Sequence, residues 1–268
     1  MEEEQLSTTS RRPSGSRGGI LIMVVLAAIM ISMFVVAIKW RTSLKVERIV
    51  IEGAQNVPAK EIFALTQVPR DAQMYDVELA EVLERVLRQP FVKSAEICRQ
   101  YPDKLEIQIL ERKPVASISC GVLRYVDADG VMLPGGVPQH KFDLPLISGI
   151  NGLQNVEPGK TILNKEIYEA IEICQTAQSL DSAIGGMISE INMNEGGEIT
   201  LYSVDGGIPI LLGRGDIERK LVTLEYFWNT FVATRDINTL KCIDLRFEDQ
   251  VVVKWAGNPG GQVNEISS

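Results

Sequence analysis

Residues 20–38 read ILIMVVLAAIMISMFVVAI, a run of nineteen residues without a charge. At ~1.5 Å of rise per helical residue, this run spans roughly 28 Å, which matches a bilayer hydrocarbon core of ~30 Å. Lys39, Trp40 and Arg41 follow it and form the basic and aromatic edge typical of a headgroup boundary. Because no small-x-small cleavage motif follows, we predict a retained transmembrane helix over residues 20–40, in contact with the lipid bilayer through residues 20–38.

The residues before the anchor contain one leucine and show no hydrophobic periodicity. They cannot bury enough apolar surface to offset the entropy of ordering, so residues 1–19 are expected to be a disordered tail. Basic residues on the two sides of the anchor nearly balance, so their count alone says little about orientation. A short tail with three arginines most simply stays in the cytoplasm, which places the large domain outside; the opposite orientation stays open.

The composition narrows the classes of partner. The net charge of −8 argues against nucleic acid. The chain beyond the anchor is long enough for two modest domains. Cys98, Cys120, Cys174 and Cys242 form no CxxC pair, so we interpret them as buried small hydrophobic residues, with one disulfide as the open alternative.

The segment directly after the anchor has a β-α-α-β-β pattern. Asp76 is a candidate N-cap for the second helix, and Tyr101-Pro102-Asp103-Lys104 suits a hairpin turn. Two helices covering one face of a three-stranded sheet is the economical packing. The predicted elements are strands over residues 46–51, 92–100 and 105–111, and helices over residues 59–67 and 76–88.

The remainder of the chain predicts a β-rich domain with two helices. Asp-Gly at residues 129–130 lies between apolar runs and is a strong hairpin signal. Short strands divided by glycine turns indicate an antiparallel sheet, so the fold class is α+β. The predicted elements are helices over residues 164–180 and 216–233, and strands over residues 114–118, 122–126, 131–133, 188–193, 199–203, 208–212, 239–247 and 251–255.

Two segments carry a resemblance to a known family. They are VERIVIEGAQNVPAKEIFALTQV at residues 46–68 and QPFVKSAEICRQYPDKLEIQILERKPVASI at residues 89–118. With the short anchor upstream, the chain resembles the bacterial cell-division proteins FtsQ and DivIB over residues 20–257. The resemblance implies a POTRA domain over residues 44–113, an FtsQ-type β domain over residues 114–257 and a flexible C-terminal tail over residues 258–268.

Candidate catalytic groups are few. His140 is the only histidine, which excludes multi-histidine metal sites. Asp127 and Asp129 are explained by turn chemistry without an acid–base role. Gly213-Arg214-Gly215 precedes a helix but lacks the third glycine of a dinucleotide-binding motif. We therefore expect no catalytic residue, cofactor, metal or small-molecule substrate, and interpret the chain as a binding protein.

The last two predicted strands form the candidate interaction element. Their alternation places one apolar set on a shared face, made of Ile243, Leu245, Phe247, Val251, Val253 and Trp255. The following Gly257-Asn258-Pro259-Gly260-Gly261 and the polar end after it are expected not to continue the sheet, so residues 251–255 are predicted to be an open edge that accepts another strand. A core strand protected from aggregation by Lys254 remains the alternative.

The family resemblance implies what binds there. In FtsQ and DivIB proteins, the C-terminal strand and the preceding helix bind FtsB, which pairs with FtsL. The matching candidate partner-binding residues here are Leu245, Arg246, Phe247, Gln250, Val251, Val252, Val253, Lys254 and Trp255. The implied protein is a single-pass type II scaffold of the bacterial inner membrane at the division septum, which helps control peptidoglycan synthesis by FtsW and FtsI indirectly.

Two other classes stay open on the sequence. POTRA modules also occur in outer-membrane assembly and secretion components, whose barrels need long alternating strands; the amphipathic helices predicted over residues 164–180 and 216–233 argue against this class. An anchored envelope enzyme would require activity that depends on Asp127 or His140.

Overall fold

The computed structural model of this chain describes residues 17–136, 142–180, 182–194, 196–232, 237–247, 250–256 and 263–264. Several sequence-based expectations concern residues outside these ranges. They are His140, the hairpin turn residues Glu248 and Asp249, most of the N-terminal tail and most of the C-terminal tail.

The N-terminal element is one long helix, α1 (Arg17–Ser43). The apolar part of this helix, Gly19–Arg41, is long enough to span a membrane and is not buried against the remainder of the described protein. Among the described residues, this is the one helix long and apolar enough to cross a bilayer. A row of exposed large apolar side chains of this length is far more than a soluble surface tolerates, so α1 suits a lipid environment.

The membrane-proximal module follows α1 and has the predicted β-α-α-β-β order. Its elements are β1 (Arg48–Glu52), α2 (Ala59–Thr66), α3 (Leu79–Val86), β2 (Val92–Gln100) and β3 (Lys104–Glu111). The sheet order is β1-β3-β2, with β1 parallel and β2 antiparallel to β3. Ile62 of α2 and Val82 and Val86 of α3 are buried in one cluster with the sheet residues Leu105 and Ile107.

The predicted N-cap of α3 is wrong. The Asp76 N–H donates to the Gln73 carbonyl at 3.0 Å, so Asp76 closes a turn before the helix. The helix begins at Leu79, and the N-cap position falls on Glu78, whose side chain makes no capping hydrogen bond. Turn formation by a short acidic residue competes with capping, and here the turn is what the chain adopts.

The distal domain is a sheet of ten strands within the described residues, covered by helices. The strand order is β13-β12-β11-β10-β9-β8-β7-β4-β5-β6. The strands are β4 (Pro114–Ser119), β5 (Leu123–Asp127), β6 (Met132–Leu133), β7 (Leu146–Ser148), β8 (Ile188–Met193), β9 (Ile199–Ser203), β10 (Pro209–Leu211), β11 (Leu240–Asp244), β12 (Val251–Trp255) and β13 (Val263–Asn264). The helices are α4 (Lys165–Leu180), α5 (Ser182–Met187) and α6 (Ile217–Phe227), with a π-helical turn at Trp228–Val232 and 3-10 turns at Leu153–Asn155 and Ile237–Thr239.

The α+β class is confirmed, but the sheet is mixed and not uniformly antiparallel. In the part of the chain that the structure describes, β4 with β7, β7 with β8 and β10 with β11 are parallel pairs. Helices α4 and α5 connect β7 to β8, and α6 connects β10 to β11. Such long crossovers are what parallel neighbours require, because the chain must return to the same end of the sheet. The two predicted helices correspond to α4 and α6, and α5 was not predicted.

Helices α4 and α6 bury one face each against this sheet. Ile167 and Ile173 of α4 and Leu221 and Phe227 of α6 are fully buried in the same apolar cluster as the strands. The Phe227 ring stacks on Phe231 with centroids 5.4 Å apart. The sheet is therefore held at its centre by two crossover helices, which leaves its final hairpin at the end of the strand order.

Charged groups connect the membrane-proximal module to the distal domain. Asp127 Oδ2 accepts a hydrogen bond from Arg112 Nη1 at 2.7 Å, and Asp127 Oδ1 accepts the Asp129 backbone N–H at 3.0 Å. Asp129 Oδ2 lies 2.6 Å from Lys93 Nζ. Apolar residues of β5 and β6 also join the buried cluster of the membrane-proximal module. The Asp127 carboxylate thus shapes the turn, and both carboxylates connect the two parts of the chain.

All four cysteines are unpaired. Cys120 and Cys174 are buried as interpreted from the sequence, and burial raises the pKa of the Cys174 thiol to about 12. Cys242 is half-buried, and Cys98 is exposed on β2, so the interpretation of this residue as a buried hydrophobe is wrong. Cys98 occupies the strand parity that faces solvent, opposite Glu106 of β3.

Candidate functional site

The candidate site is the hairpin formed by β11 and β12. These strands are antiparallel, with Cys242 opposite Lys254 and Ile243 opposite Val253. The Leu245 N–H donates to the Leu211 carbonyl at 2.9 Å, which extends the contact between the hairpin and β10 beyond the end of β11. The hairpin therefore continues the ten-stranded sheet toward its β13 end.

The apolar face predicted for the hairpin points into the core. Leu245, Val251 and Val253 are buried, and Trp255 packs half-buried against the same cluster. These side chains are part of the hydrophobic core of the domain, so a partner would contact Val251 and Val253 only through their backbone atoms. Phe247 does not follow this face and is 53% exposed, because it lies beyond the end of β11 where strand alternation no longer applies.

The outer face of the hairpin carries a different set of side chains. Phe247 and Lys254 are exposed, and Gln250 and Val252 are half-buried. We call these four residues the hairpin surface. It combines two apolar groups with one cation and one amide, which suits a polypeptide partner more than a small molecule.

Arg246 is held in place by acids of its own chain. Its guanidinium donates to Asp244 Oδ1 at 2.9 Å and to Asp244 Oδ2 at 2.8 Å, and it also donates to Glu198 Oε1 at 2.9 Å. The hydrogen bond to Asp244 is the main cause of the raised pKa of Arg246. This two-point contact is the geometry in which arginine binds a carboxylate most strongly. Arg246 is thus paired within its own chain, directly after the end of β11.

The chain after Trp255 does return to the sheet. Val263 of β13 pairs with Val252, and Asn264 pairs with Val251, in antiparallel register. The expectation that the polar end does not continue the sheet is therefore wrong at these two residues, and the predicted open edge of β12 is covered by the chain itself at Val251 and Val252. The described pairing covers the first two residues of β12 and ends at Val252.

Helix α6 presents an apolar pair that the sequence analysis did not select. Val222 and Tyr226 are 45% and 57% exposed, while Leu221 and Leu224 on the other side of the helix are buried. Residues 222 and 226 are four positions apart, so they lie next to each other on the outer face. The signal was available in the sequence as an apolar i,i+4 pair opposite the buried stripe.

The Gly213-Arg214-Gly215 loop does not resemble a phosphate site. It borders a cleft of about 440 Å³ that is also lined by Glu169, Glu172 and Glu218. Arg214 Nη2 lies 3.3 Å from Glu169 Oε2, so the arginine is paired within the protein. Carboxylates around the cleft would repel an anion. Across the described ranges, no group of three or more His, Cys, Asp or Glu side chains is placed to hold a metal ion.

Comparison with known proteins identifies the family of the chain. Residues 44–112 match the family model of the POTRA domain, FtsQ-type, and residues 113–254 match the model described as FtsQ/DivIB, C-terminal related. The chain is similar to cell division protein FtsQ of Rhodothermus marinus, with 33% identity over 275 residues that cover 98% of this chain and 97% of that protein. The proteins of the same name from Geotalea daltonii and Salinibacter ruber are 30% identical over 213 residues and 28% identical over 274 residues. These alignments cover 80% and 95% of this chain, and 76% and 98% of the two relatives, respectively. The chain therefore belongs to the FtsQ/DivIB family of bacterial cell-division proteins.

Proposed function

We propose that this chain is a non-enzymatic scaffold of the division septum that binds FtsB, and through it FtsL, by adding a partner strand to β12. The observation that carries the proposal is the position of β12. It lies next to the end of the sheet, where its own chain pairs with Val251 and Val252 through the two-residue strand β13. Within the described residues this cover pairs with only two residues of β12, and an edge covered in this way is a suitable template for a longer strand from another chain.

The free energy that holds β13 against β12 is small. A two-residue antiparallel pairing contains about two ladder hydrogen bonds, and each contributes about 0.5–1.5 kcal/mol net. A partner strand that pairs along all of β12 would form more such bonds and add side-chain contacts. The partner strand would therefore displace β13 at a modest cost.

Side-chain selectivity would come from the hairpin surface. Val252 and Phe247 offer apolar contact, and Lys254 favours an acidic residue on the partner strand, because no acid of the described chain lies within ion-pair distance of its ammonium. The predicted site residues with buried side chains, Leu245, Val251 and Val253, would support this surface from inside the core.

The topology that we propose follows from α1. The helix would cross the inner membrane once, with the short N-terminal tail in the cytoplasm and both folded parts outside it, as in a type II protein. A scaffold tethered in this way would concentrate FtsB and FtsL at the septum and help control peptidoglycan synthesis by FtsW and FtsI. This chain itself would supply binding and no chemistry.

The test is binding of the extracytoplasmic segment of FtsB to the purified full chain. Val252→Glu and Lys254→Glu change the hairpin surface without placing a charge in the core, and each should weaken binding about tenfold or more, because a mismatched charge at an interface costs several kcal/mol. Val253→Glu is unsuitable, since Val253 is fully buried and a charge there would unfold the hairpin.

Val122→Glu is the matched control. Val122 is 59% exposed in the turn between β4 and β5, and several strands separate it from β12. This variant should bind FtsB like the wild type. Wild-type affinity of both hairpin variants, with native circular dichroism, would exclude β12 as the contact.

A further inference from the structure

The end of α1 is attached to the membrane-proximal module without a free linker. The helix ends at Ser43, and the next residue, Leu44, is already buried in the core of the module. The Leu44 carbonyl accepts the Met74 N–H at 2.8 Å, and the Val46 N–H donates to the Ala72 carbonyl at 2.9 Å. The segment around residue 73 therefore runs alongside the exit of the membrane helix.

This pairing holds the segment before Tyr75 beside the residues that leave the membrane helix. Lys45 and Gln73 form an isolated antiparallel bridge, two residues after the end of α1 and two residues before Tyr75. Ser43 is five residues beyond Ile38, the last residue of the apolar run, which corresponds to a rise of about 7.5 Å. The headgroup layer on each side of the hydrocarbon core is roughly 5–7 Å thick. With α1 across a bilayer, Ser43 and the segment beside it that leads to Tyr75 would lie near the outer limit of the headgroups.

Two cations from distant parts of the chain meet on the Tyr75 ring. The Arg41 guanidinium carbon lies 4.6 Å from the ring centroid, and that of Arg99 lies 6.0 Å from it. The Tyr101 hydroxyl donates to the Tyr75 hydroxyl at 2.8 Å. We call Arg41, Tyr75, Arg99 and Tyr101 the Tyr75 cluster.

The positive charge of the Tyr75 cluster is not balanced by the protein. Within the described parts of the chain, no carboxylate lies within 4.0 Å of the Arg41 or Arg99 guanidinium, whereas Asp103 in the neighbouring turn is paired with Arg48 at 2.9 Å. The ring face attracts both cations, but the two like charges still repel each other, and an anion between them would remove this repulsion. Planar guanidinium groups with nearby hydroxyls match the donors that bind phosphate.

We propose that the Tyr75 cluster binds the phosphate headgroup of an anionic phospholipid in the leaflet where α1 ends. An anionic lipid is the proposed ligand because Arg41 of the cluster lies three residues beyond the apolar run of α1, where the headgroups of a bilayer would be. The proposal requires that α1 crosses the bilayer and is independent of binding at β12. A basic residue close to an anionic membrane surface contributes about fivefold in affinity.

The experiment measures lipid selectivity of the full chain in phosphatidylcholine vesicles. Spin-labelled phosphatidylglycerol and spin-labelled phosphatidylcholine report the relative association of each lipid with the protein. The wild type should prefer phosphatidylglycerol, and Arg41→Gln and Arg99→Gln should each reduce this preference by up to about fivefold. Arg88→Gln is the control, because Arg88 is an exposed arginine just after the end of α3 that pairs with Glu84, and the lipid preference of this variant should equal that of the wild type.

Arg99 distinguishes the cluster from the ordinary basic flank of a membrane helix, because it belongs to β2 and not to α1. Arg99 also donates to the Met74 and Val77 carbonyls at 2.9 and 2.7 Å, so Arg99→Lys is needed to separate charge from structure. Arg99→Lys should retain most of the phosphatidylglycerol preference. Full preference in Arg99→Gln, or an equal loss in Arg99→Lys and Arg99→Gln, would overturn the proposal.

Discussion

Deleting residues 257–268 should strengthen the binding of FtsB to β12. The deletion removes β13, which pairs with Val251 and Val252 on the outer edge of β12. If β13 must leave before a partner strand can pair, the apparent affinity of the intact chain is reduced by the fraction of molecules in which β13 is displaced. The truncated chain would no longer carry this cost.

The size of the gain follows from the two-residue pairing. About two hydrogen bonds at 0.5–1.5 kcal/mol each give a cover worth about 1–3 kcal/mol. Since about 1.4 kcal/mol corresponds to a tenfold change in affinity, the truncated chain should bind about 5- to 150-fold more tightly. A much larger gain would mean that the cover contains more than β13.

The assay is isothermal titration calorimetry of the extracytoplasmic FtsB segment with intact and truncated chains in the same detergent. A single substitution, Val263→Pro, serves as a second test, because proline disrupts strand pairing at full chain length. It should also raise the affinity. Weaker binding of both variants would show that β13 is part of the contact, and unchanged binding would show that the partner does not use this edge.

Two further predictions concern stability, measured by urea unfolding of the full chain in detergent micelles. Gly53→Ala should lower the free energy of unfolding by more than about 2 kcal/mol, because φ is +86° and the added Cβ would overlap a carbonyl oxygen of β3. Gly152→Ala, at φ +83° with open space around it, should lower it by about 1 kcal/mol. Equal losses of stability in the two variants would contradict the steric argument. The hydrogen bond from Lys93 of β2 outweighs the effect of burial and lowers the pKa of Asp129. The Asp129 carboxylate therefore stabilises the fold at pH values above the unfolded-state carboxyl pKa. This stabilisation is lost as the pH falls through the lowered folded-state pKa. Asp129→Asn should therefore be less stable than the wild type by under about 1 kcal/mol near neutral pH, and the difference should shrink as the pH falls below the unfolded-state carboxyl pKa; a difference that does not change with pH would contradict the assignment.

Local sequence patterns predicted most of the elements. The predicted strands over residues 92–100, 188–193 and 199–203 coincide with β2, β8 and β9, and the helix predicted over residues 164–180 differs from α4 by one residue. Alternation and helical periodicity depend on neighbours two to four positions apart, so they are visible without a fold. The errors occur where local signals compete, as at Asp76, or where alternation ends, as at Phe247.

The candidate site was only partly predictable. The family resemblance pointed to the last strand, and its apolar parity was correct for Val251 and Val253. Parity alone did not decide whether that face would meet the core or a partner, because both are apolar surroundings. The structure places those side chains in the core and leaves Val252 and Lys254 on the outer face.

The sequence was sufficient for the long apolar helix, the β-α-α-β-β module and the family to which the chain belongs, since each is encoded in contiguous residues. Tertiary structure alone decided the pairing of Val252 with Val263 and the meeting of Arg41 with Arg99 on the Tyr75 ring. These contacts join residues far apart in the chain, and their formation depends on how whole strands and helices pack. Periodicity within one segment carries no information about which distant segment will lie beside it.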